Sequence, residues 1–538
     1  MSAMKTRVPE WFRQALIYQV YPQSFLDSNG DGVGDLAGVA RKLDYIQSLS
    51  CDTIWLNPCF ASPCRDAGYD VSDYLTVAPR YGTNRDLVHL FREAHRRGMR
   101  VLLDLVPGHT SVEHPWFRAA ARSRTNRYSN WYVWTDSVWQ KEPGLMFVRG
   151  FAERNGNFLT NFFWSQPALN FGFARPDPKK PWQLPTGHPD VRALKGEFRR
   201  IMRFWLDRGA DGFRVDMAFS LVKEDPERQA TIALWREFRE FLDREYPEAV
   251  LVSEWCNPSQ SIPAGFHADF LIHFGSGAYT SLFRAEAGRN IYPGSSGRSY
   301  FDPAGEGDIG RFLPVYLEQL KAAAGRGYIS LPTGNHDLPR LSLGRETDDL
   351  ELAFAFLLTL PGVPAIYYGD EIGLKHLKNL PSKEGGYNRT GARTPMQWGR
   401  GAKAGFSAAS PGKFYLPVDP SPGRPCVRAQ ENDPRSLLNR VRRLAALRRG
   451  NPALGNDGLF LPVCAKNRGY PFVYERRSGG ERALVLLNPA RRKAEASFSL
   501  SPSPREPRLL LGRGCALRTD SARFRVSMEG RSYAIFQM

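Results

Sequence analysis

Eight short apolar runs of strand character punctuate this chain, and helical stretches fill most of the intervals between them. The runs are IYQVYP, TIWLNP, VLLDLV, GFRVDM, VLVSEW, FLIHF, YISLPTGNHD and AIYYGDE. Between the first two lies DLAGVARKLDYIQSLS, in which Leu36, Val39, Leu43, Ile46 and Leu49 recur at helical spacing and predict one amphipathic helix. Strand and helix alternating for most of the chain imply a parallel sheet, and the expected fold class is α/β, a (β/α)8 TIM barrel. The polar residues of these runs cluster after their apolar parts: Asn57, Asp104, Asp216, Glu254, His336 and Asp337. In a closed parallel barrel those positions are the C-terminal strand ends, the face on which active sites are built. A doubly wound sheet is the structural alternative, but the sequence has no G-x-x-x-x-G-K phosphate loop, and its G-x-G-x-x-G match, GEGDIG at 305–310, follows none of the strand-like runs as a dinucleotide loop would.

At 538 residues the chain exceeds one ordinary domain. The alternation stops between Gly108 and about Trp182, in a stretch rich in Trp, Phe, Asn and Pro that includes NFLTNFFWSQPALNFGF. That length is too great for a simple loop, so residues 108–181 are expected to form an inserted subdomain. It would separate the barrel's first part, 1–107, from its second, 182–452. Beyond LLNRVRRLAALRRGNPAL the pattern becomes short strands and turns, which predicts a small C-terminal β-sandwich over 453–538.

The formal charge of +18 raises the question of nucleic acid. The basic residues are scattered in pairs, however: Arg96 with Arg97, Arg199 with Arg200, Arg442 with Arg443, Arg476 with Arg477. A concentrated basic stripe is absent from the sequence, so most of the charge is expected on solvated helix faces, with no nucleic-acid partner. Seven cysteines without C-x-x-C spacing predict reduced thiols. The longest apolar run, LAFAFLLTLPGVPAIYYG, is broken by Pro361 and Pro364 and fits a buried helix followed by a strand. A soluble, cytoplasmic protein without a membrane partner, monomeric or a small homo-oligomer, is the expectation.

Residues 27–35, DSNGDGVGD, alternate oxygen-bearing side chains with glycines. The pattern fits the first half of an EF-hand, but the twelfth position, which needs a bidentate Glu, is Gly38. A hard-cation loop with oxygen ligands at alternate positions remains the expectation, against a metal-free Asp/Asn/Gly turn.

Three carboxylates at one barrel mouth, Asp216, Glu254 and Asp337, suggest glycosidic chemistry, which needs one carboxylate as nucleophile and one carboxylic acid as proton donor. A single strand-end Asp or Glu could as well cap the following helix. The segments DLVPGH, GFRVD, SEW and GNHD resemble, in order, the four signature regions of the α-amylase family of glycoside hydrolases. IYQVYPQSFLDSNGDGVGDL, GYDVSDY and RTPMQW resemble its oligo-1,6-glucosidase, α-glucosidase and trehalose synthase branch, and the resemblance runs from about residue 11 to the end.

That resemblance implies that Asp216 is the nucleophile, Glu254 the general acid/base and Asp337 the carboxylate that stabilises the transition state. Arg214, on the same strand face as Asp216, can hold it ionised. His109 and His336 are similar to the pair that hydrogen-bonds the sugar, Tyr69 to the ring that stacks on it, and Asp70 and Arg340 to the pair that clamps the terminal glucose hydroxyls. In this branch the DSNGDG loop binds a structural calcium or magnesium ion, which implies Asp27, Asn29, Asp31, the Val33 carbonyl and Asp35 as ligands.

The sequence departs from the family at three places. Gly108 stands where D-x-V-x-N-H has Asn, Met217 stands where the branch has Val or Thr, and Trp255 and Cys256 follow Glu254. The linkage attacked is left open, with Met217 the residue expected to influence it. The expected activity is that of a retaining, exo-acting α-glucosidase on short α-glucosides. The rivals are a trehalose synthase-like isomerase or sucrose-using transglucosylase, and a non-catalytic barrel scaffold of the kind found in transporter subunits.

Overall fold

The computed structural model describes residues 7–272, 276–285, 297–500, 506–520 and 523–538. Eight strands close into a parallel barrel: β1 Ile17–Val20, β2 Thr53–Leu56, β3 Arg100–Leu105, β4 Gly212–Val215, β5 Val250–Ser253, β6 Ala268–Phe270, β7 Tyr328–Pro332 and β8 Val363–Tyr367. Each pairs with its sequence neighbours, and β1 closes the ring on β8 through Ile17 opposite Ala365. The run expected as FLIHF contributes Phe270 to β6, while His273 and Phe274 lie outside the described residues.

Successive strand residues serve two cores, as the pleat requires. Ile17, Trp55, Leu102, Val250, Val252, Ala268, Phe270, Val363 and Ala365 fill the barrel interior, with Phe12 packed in the same cluster. Their neighbours Tyr18, Ile54, Leu56, Leu103, Phe213, Leu251, Ile329 and Ile366 face outward beneath the helices. Both faces are therefore apolar, which is why these strands read as continuous hydrophobic runs.

The helix expected from Leu36 to Leu49 forms in two pieces, Leu36–Ala40 and Leu43–Ser48. The next, Asn84–Arg96, starts on a capping box in which Thr83 and Asp86 satisfy each other's backbone N–H groups. The apolar run at Pro361 and Pro364 divides as expected, into the buried helix Thr347–Thr359 and strand β8. Between β3 and the helix Pro189–Leu206 the chain leaves the barrel for short paired segments and aromatic loops.

The C-terminal strands join into one six-stranded antiparallel sheet, where a sandwich was expected. The last strand, Arg523–Gln537, is long enough to pair with three others. Alternate residues again serve two cores: Val485, Leu487, Tyr533 and Ile535 join the barrel's cluster, and Leu484, Leu486, Ala534 and Phe536 a separate one.

Some of the surface charge pairs on helices, as in Arg200 with Glu197 within one helix and Arg203 with Glu245 between two, contacts that contribute little each. Arg476 departs from the expected solvated face. It is fully buried on a C-terminal strand and donates to the carbonyls of Thr359, Gly455, Gly458 and Leu459. Burial lowers its guanidinium to about 10. It thus satisfies the C-terminal end of the helix Thr347–Thr359, where the partial negative charge of the helix dipole favours a cation. Arg476→Leu should leave several buried carbonyls without donors and lower stability by about 3 kcal/mol or more, at 1–3 kcal/mol per orphaned group. Urea denaturation of the purified variant measures this directly.

Candidate active site

The site is assembled around one guanidinium. Arg214 projects from β4, is 1% exposed, and lies over the rings of Trp55 and Tyr69. Its Nη1 donates to Asp104 Oδ1 at 2.8 Å and Asp216 Oδ1 at 3.1 Å, and its Nη2 lies 2.5 Å from Glu254 Oε2. Three carboxylates from β3, β4 and β5 therefore share one cation. Burial drives the Asp216 carboxyl well above its ordinary value, Arg214 opposes that, and the Glu254 and Asp104 charges add to it. Asp104 is pushed up to about 6, again by burial against the pull of Arg214. Three carboxylates on one guanidinium also repel one another, which works in the same direction as burial.

Asp337 forms the facing wall. Its Oδ1 accepts from Arg389 Nη1 at 2.7 Å and Arg393 Nη2 at 3.0 Å, and its Oδ2 is 3.4 Å from His336 Nε2. His336 Nδ1 receives amide hydrogens from Gln19 and Asn57, each at 3.2 Å, which leaves the ring proton on Nε2, toward Asp337. Burial lowers His336 to about 3, so the ring is neutral. Tyr69 stacks on it with ring centres 5.2 Å apart, and the Tyr69 hydroxyl donates to Asp104 Oδ2 at 3.0 Å. Tyr69 is thus part of the floor joining Arg214's carboxylates to His336.

His109 is also neutral, lowered to about 3 by burial, with Nε2 3.1 Å from the Tyr69 carbonyl. Its Nδ1 is 3.1 Å from the Asn161 amide nitrogen. That contact explains Gly108: a Cβ there would sit 2.7 Å from the same Asn161 nitrogen. The inserted segment supplies an amide beside the histidine where the family pattern has it on the preceding residue.

Met217, half-buried, follows the nucleophile candidate in a left-handed conformation, φ 41°, and its N–H reaches Glu254 Oε2 at 3.3 Å. Strained backbone of this kind concentrates at functional sites.

The structure does not bring Asp70 and Arg340 together. Asp70 accepts from Ser62 Oγ and from the backbone N–H groups of Arg65 and Asp66, so it braces a loop instead of facing a substrate. Arg340 is buried between Tyr367 and Tyr368 and pairs with Asp370 at 3.3 Å. The pair that does meet beside Asp337 is Asp66 and Arg389, with Arg389 Nη2 3.6 Å from Asp66 Oδ1. Burial raises Asp66 to about 6 against the pull of Arg389 and Arg393. Sequence reading missed both, although Asp66 lies in the segment just before GYD and Arg389 in that just before RTPMQW. Around them stand rings from the inserted segment: Phe162 lies edge-on to His109 at 5.9 Å, and Phe163 stacks on Tyr387 at 6.1 Å.

In the loop 27–35 the donor set is hard oxygen, the chemistry a calcium or magnesium ion requires. The carboxylates fold the loop on themselves as it stands. Asp27 accepts from the N–H groups of Asn29, Gly30 and Gly32, Asp31 from that of Val33, and Asp35 from those of Ser28 and Gly38. Among the described residues no group of three His, Cys, Asp or Glu side chains is gathered to hold a metal. No disulfide joins the cysteines, and no helix is long and apolar enough to cross a membrane, again among the described residues.

A closed parallel barrel whose C-terminal mouth gathers carboxylates, an arginine and neutral histidines is an enzyme of the glycoside-processing class. The alpha amylase catalytic domain matches residues 19–457, and the chain belongs to that family. It is 33% identical over 522 residues to the trehalose synthase/amylase TreS of Mycobacterium tuberculosis (strain ATCC 25618 / H37Rv), covering 89% of this chain and 81% of that protein. The oligo-1,6-glucosidase of Parageobacillus thermoglucosidasius is 30% identical over 537 residues, covering 89% and 90%. The crystal structure of trehalulose synthase MutB from Pseudomonas mesoacidophila MX-45 superposes with a TM-score of 0.78 at 26% identity, over 99% of this chain and 100% of that one.

Because Asp104 adds an anion to the cluster, Asp104→Asn should lower the cluster's affinity for protons. The alkaline limb of the pH–rate profile should then move to lower pH, by about one unit. A profile of kcat/KM against pH for the two proteins checks the sign.

Proposed function

We propose that this enzyme is a retaining, exo-acting α-glucosidase acting on disaccharides and short oligosaccharides. The observation that carries the reading is the single Arg214 guanidinium bridging Asp216 and Glu254. Bridging by one side chain favours the close carboxylate separation of a retaining pair, about 5–5.5 Å, over the wider gap in which an inverting pair holds a water. Asp216 attacks the anomeric carbon as Glu254 gives its proton to the departing glycosidic oxygen. The β-glucosyl ester on Asp216 is then hydrolysed by water that Glu254 deprotonates. Asp337, fixed by Arg389 and Arg393, sits beside the ring and offsets its developing positive charge.

The exo reading rests on a pair of opposite charges at one side of Asp337. Asp66 and Arg389 meet beside Asp337, and charge-assisted hydrogen bonds there suit the hydroxyls of a terminal glucose. The Phe163–Tyr387 contact joins the inserted segment to the loop that carries Arg389. A second reading is sugar isomerisation, in which a leaving sugar retained near the ester attacks it in place of water. The trehalose synthase relatives favour that reading.

Chromatography of the products from maltose, isomaltose, sucrose and trehalose separates the two, because hydrolysis gives free monosaccharide and isomerisation a new disaccharide. Asp216→Ala should abolish either activity while the protein stays folded by circular dichroism. Soluble starch should be a poor substrate, and rapid cleavage of its internal bonds would overturn the exo reading.

We further propose Asp27, Asn29, Asp31, the Val33 carbonyl and Asp35 as a structural site for Ca2+, with Mg2+ the alternative ion. Excess chelator should lower the melting temperature, through loss of an ion bound only by the native state. An unchanged melting curve on protein shown to be metal-free would mean that the loop's own hydrogen bonds suffice.

A further inference from the structure

Asp269 lies on β6, and the register sets it opposite Ser253, the residue before Glu254. It is fully buried, and its hydrogen bonds run to the residues that flank Glu254. Its Oδ1 accepts from Ser253 Oγ at 2.7 Å, Trp255 N at 3.0 Å and Cys256 N at 3.3 Å, and its Oδ2 accepts from Asn257 N at 2.8 Å. The chain is left-handed at Cys256, φ 60°, which turns three successive N–H groups toward one carboxylate. Glu254 itself is held from the other side, its N–H donating to Val215 and its carbonyl accepting from Ala218.

We propose that Asp269 is a positioning residue for proton donation: it holds the Ser253 hydroxyl before Glu254 and the backbone N–H groups after it, and so fixes the aim of the Glu254 carboxyl at the glycosidic oxygen. The proposal rests on the reading of Glu254 as the acid/base. A carboxylate suits the task because it accepts at both oxygens and donates nothing when ionised. An amide in its place would turn an NH2 group toward the N–H of Asn257 or of Trp255. Burial raises Asp269 to about 6 while these hydrogen bonds oppose the rise, so at neutral pH it is the acceptor this arrangement needs. Proton transfer demands hydrogen-bond reach, and a displacement of about 1 Å at such a site costs about 10²-fold in rate.

The test compares two substrates that differ in how much protonation their leaving group needs. kcat/KM reports the steps up to the ester on Asp216, so it isolates the donation of the proton. On maltose or isomaltose, whichever the wild type turns over, Asp269→Asn should lower kcat/KM by about 10²-fold. On α-glucosyl fluoride, whose leaving group departs with little help, the loss should be under about five-fold, an estimate from the small share of general acid catalysis left to that substrate. On a Glu254→Gln background the same change should add nothing to the difference between substrates, since residues acting as one unit are not additive. Equal losses on both substrates, or no loss on either, would overturn the role. Should Asp269→Asn fail to fold, Ser253→Ala removes one of the same bonds, and its rates must be biased between substrates in the same direction for the proposal to stand. Glu254→Gln alone distinguishes the two layers: without a substrate bias there, it is the assignment of Glu254 that fails.

Discussion

A buried arginine shared by three carboxylates is the constraint around which this molecule is arranged. Arg214 can lie almost wholly out of water only because Asp104, Asp216 and Glu254 surround it. Those carboxylates can in turn be buried together only because it is there. Removing either side would leave uncompensated charge in a low-dielectric interior, which costs about 3–5 kcal/mol. The arrangement is therefore weak as a source of net stability and strong as a means of fixing geometry. An imbalance toward anions suits the proposed chemistry, in which one carboxyl keeps a proton while another stays nucleophilic.

The barrel supplies the rest of the precision. Asp104, Asp216 and Glu254 come from three adjacent parallel strands, so the ladder between β3, β4 and β5 sets their relative positions. Histidines 109 and 336 are kept neutral by burial, and each is oriented by amide side chains that arrive from elsewhere in the chain. The inserted segment is not a separate module in this respect. Asn161 completes the surroundings of His109, and Gln166 donates to Asp66 at 2.8 Å, so the segment shapes the site from above.

Loops account for the difference between the expected Asp70–Arg340 pair and the observed Asp66–Arg389 pair. Asp70 and Asp66 lie in the same loop, both buried and both acidic, and nothing in local sequence says which turns inward. The fold decides it: Asp70 is consumed in closing the loop, and its acceptance of the Asp66 N–H is part of what presents Asp66 to Arg389. Arg340 follows the catalytic motif closely in sequence, yet the turn after Asp337 carries it between two tyrosines and onto Asp370. Arg389, far along the chain, takes the place beside Asp337.

The sequence by itself determined the barrel, the strand-end carboxylates and the partnership of Arg214 with Asp216. These depend on periodicity and on spacing within single strands, and a strand's two-residue repeat is local information. It also determined the buried helix before β8, since a long apolar run broken by prolines at its middle permits little else. Only the tertiary structure decided the Asp66–Arg389 pair, the substitution of Asn161 for an asparagine at 108, the burial of Arg476 and the anchoring of Glu254's flanks by Asp269. Each of these joins segments distant in the chain, or selects between chemically equivalent side chains in one loop. The selection rests on which buried donors and acceptors find partners once the chain is closed, and that is a property of packing that no local pattern encodes.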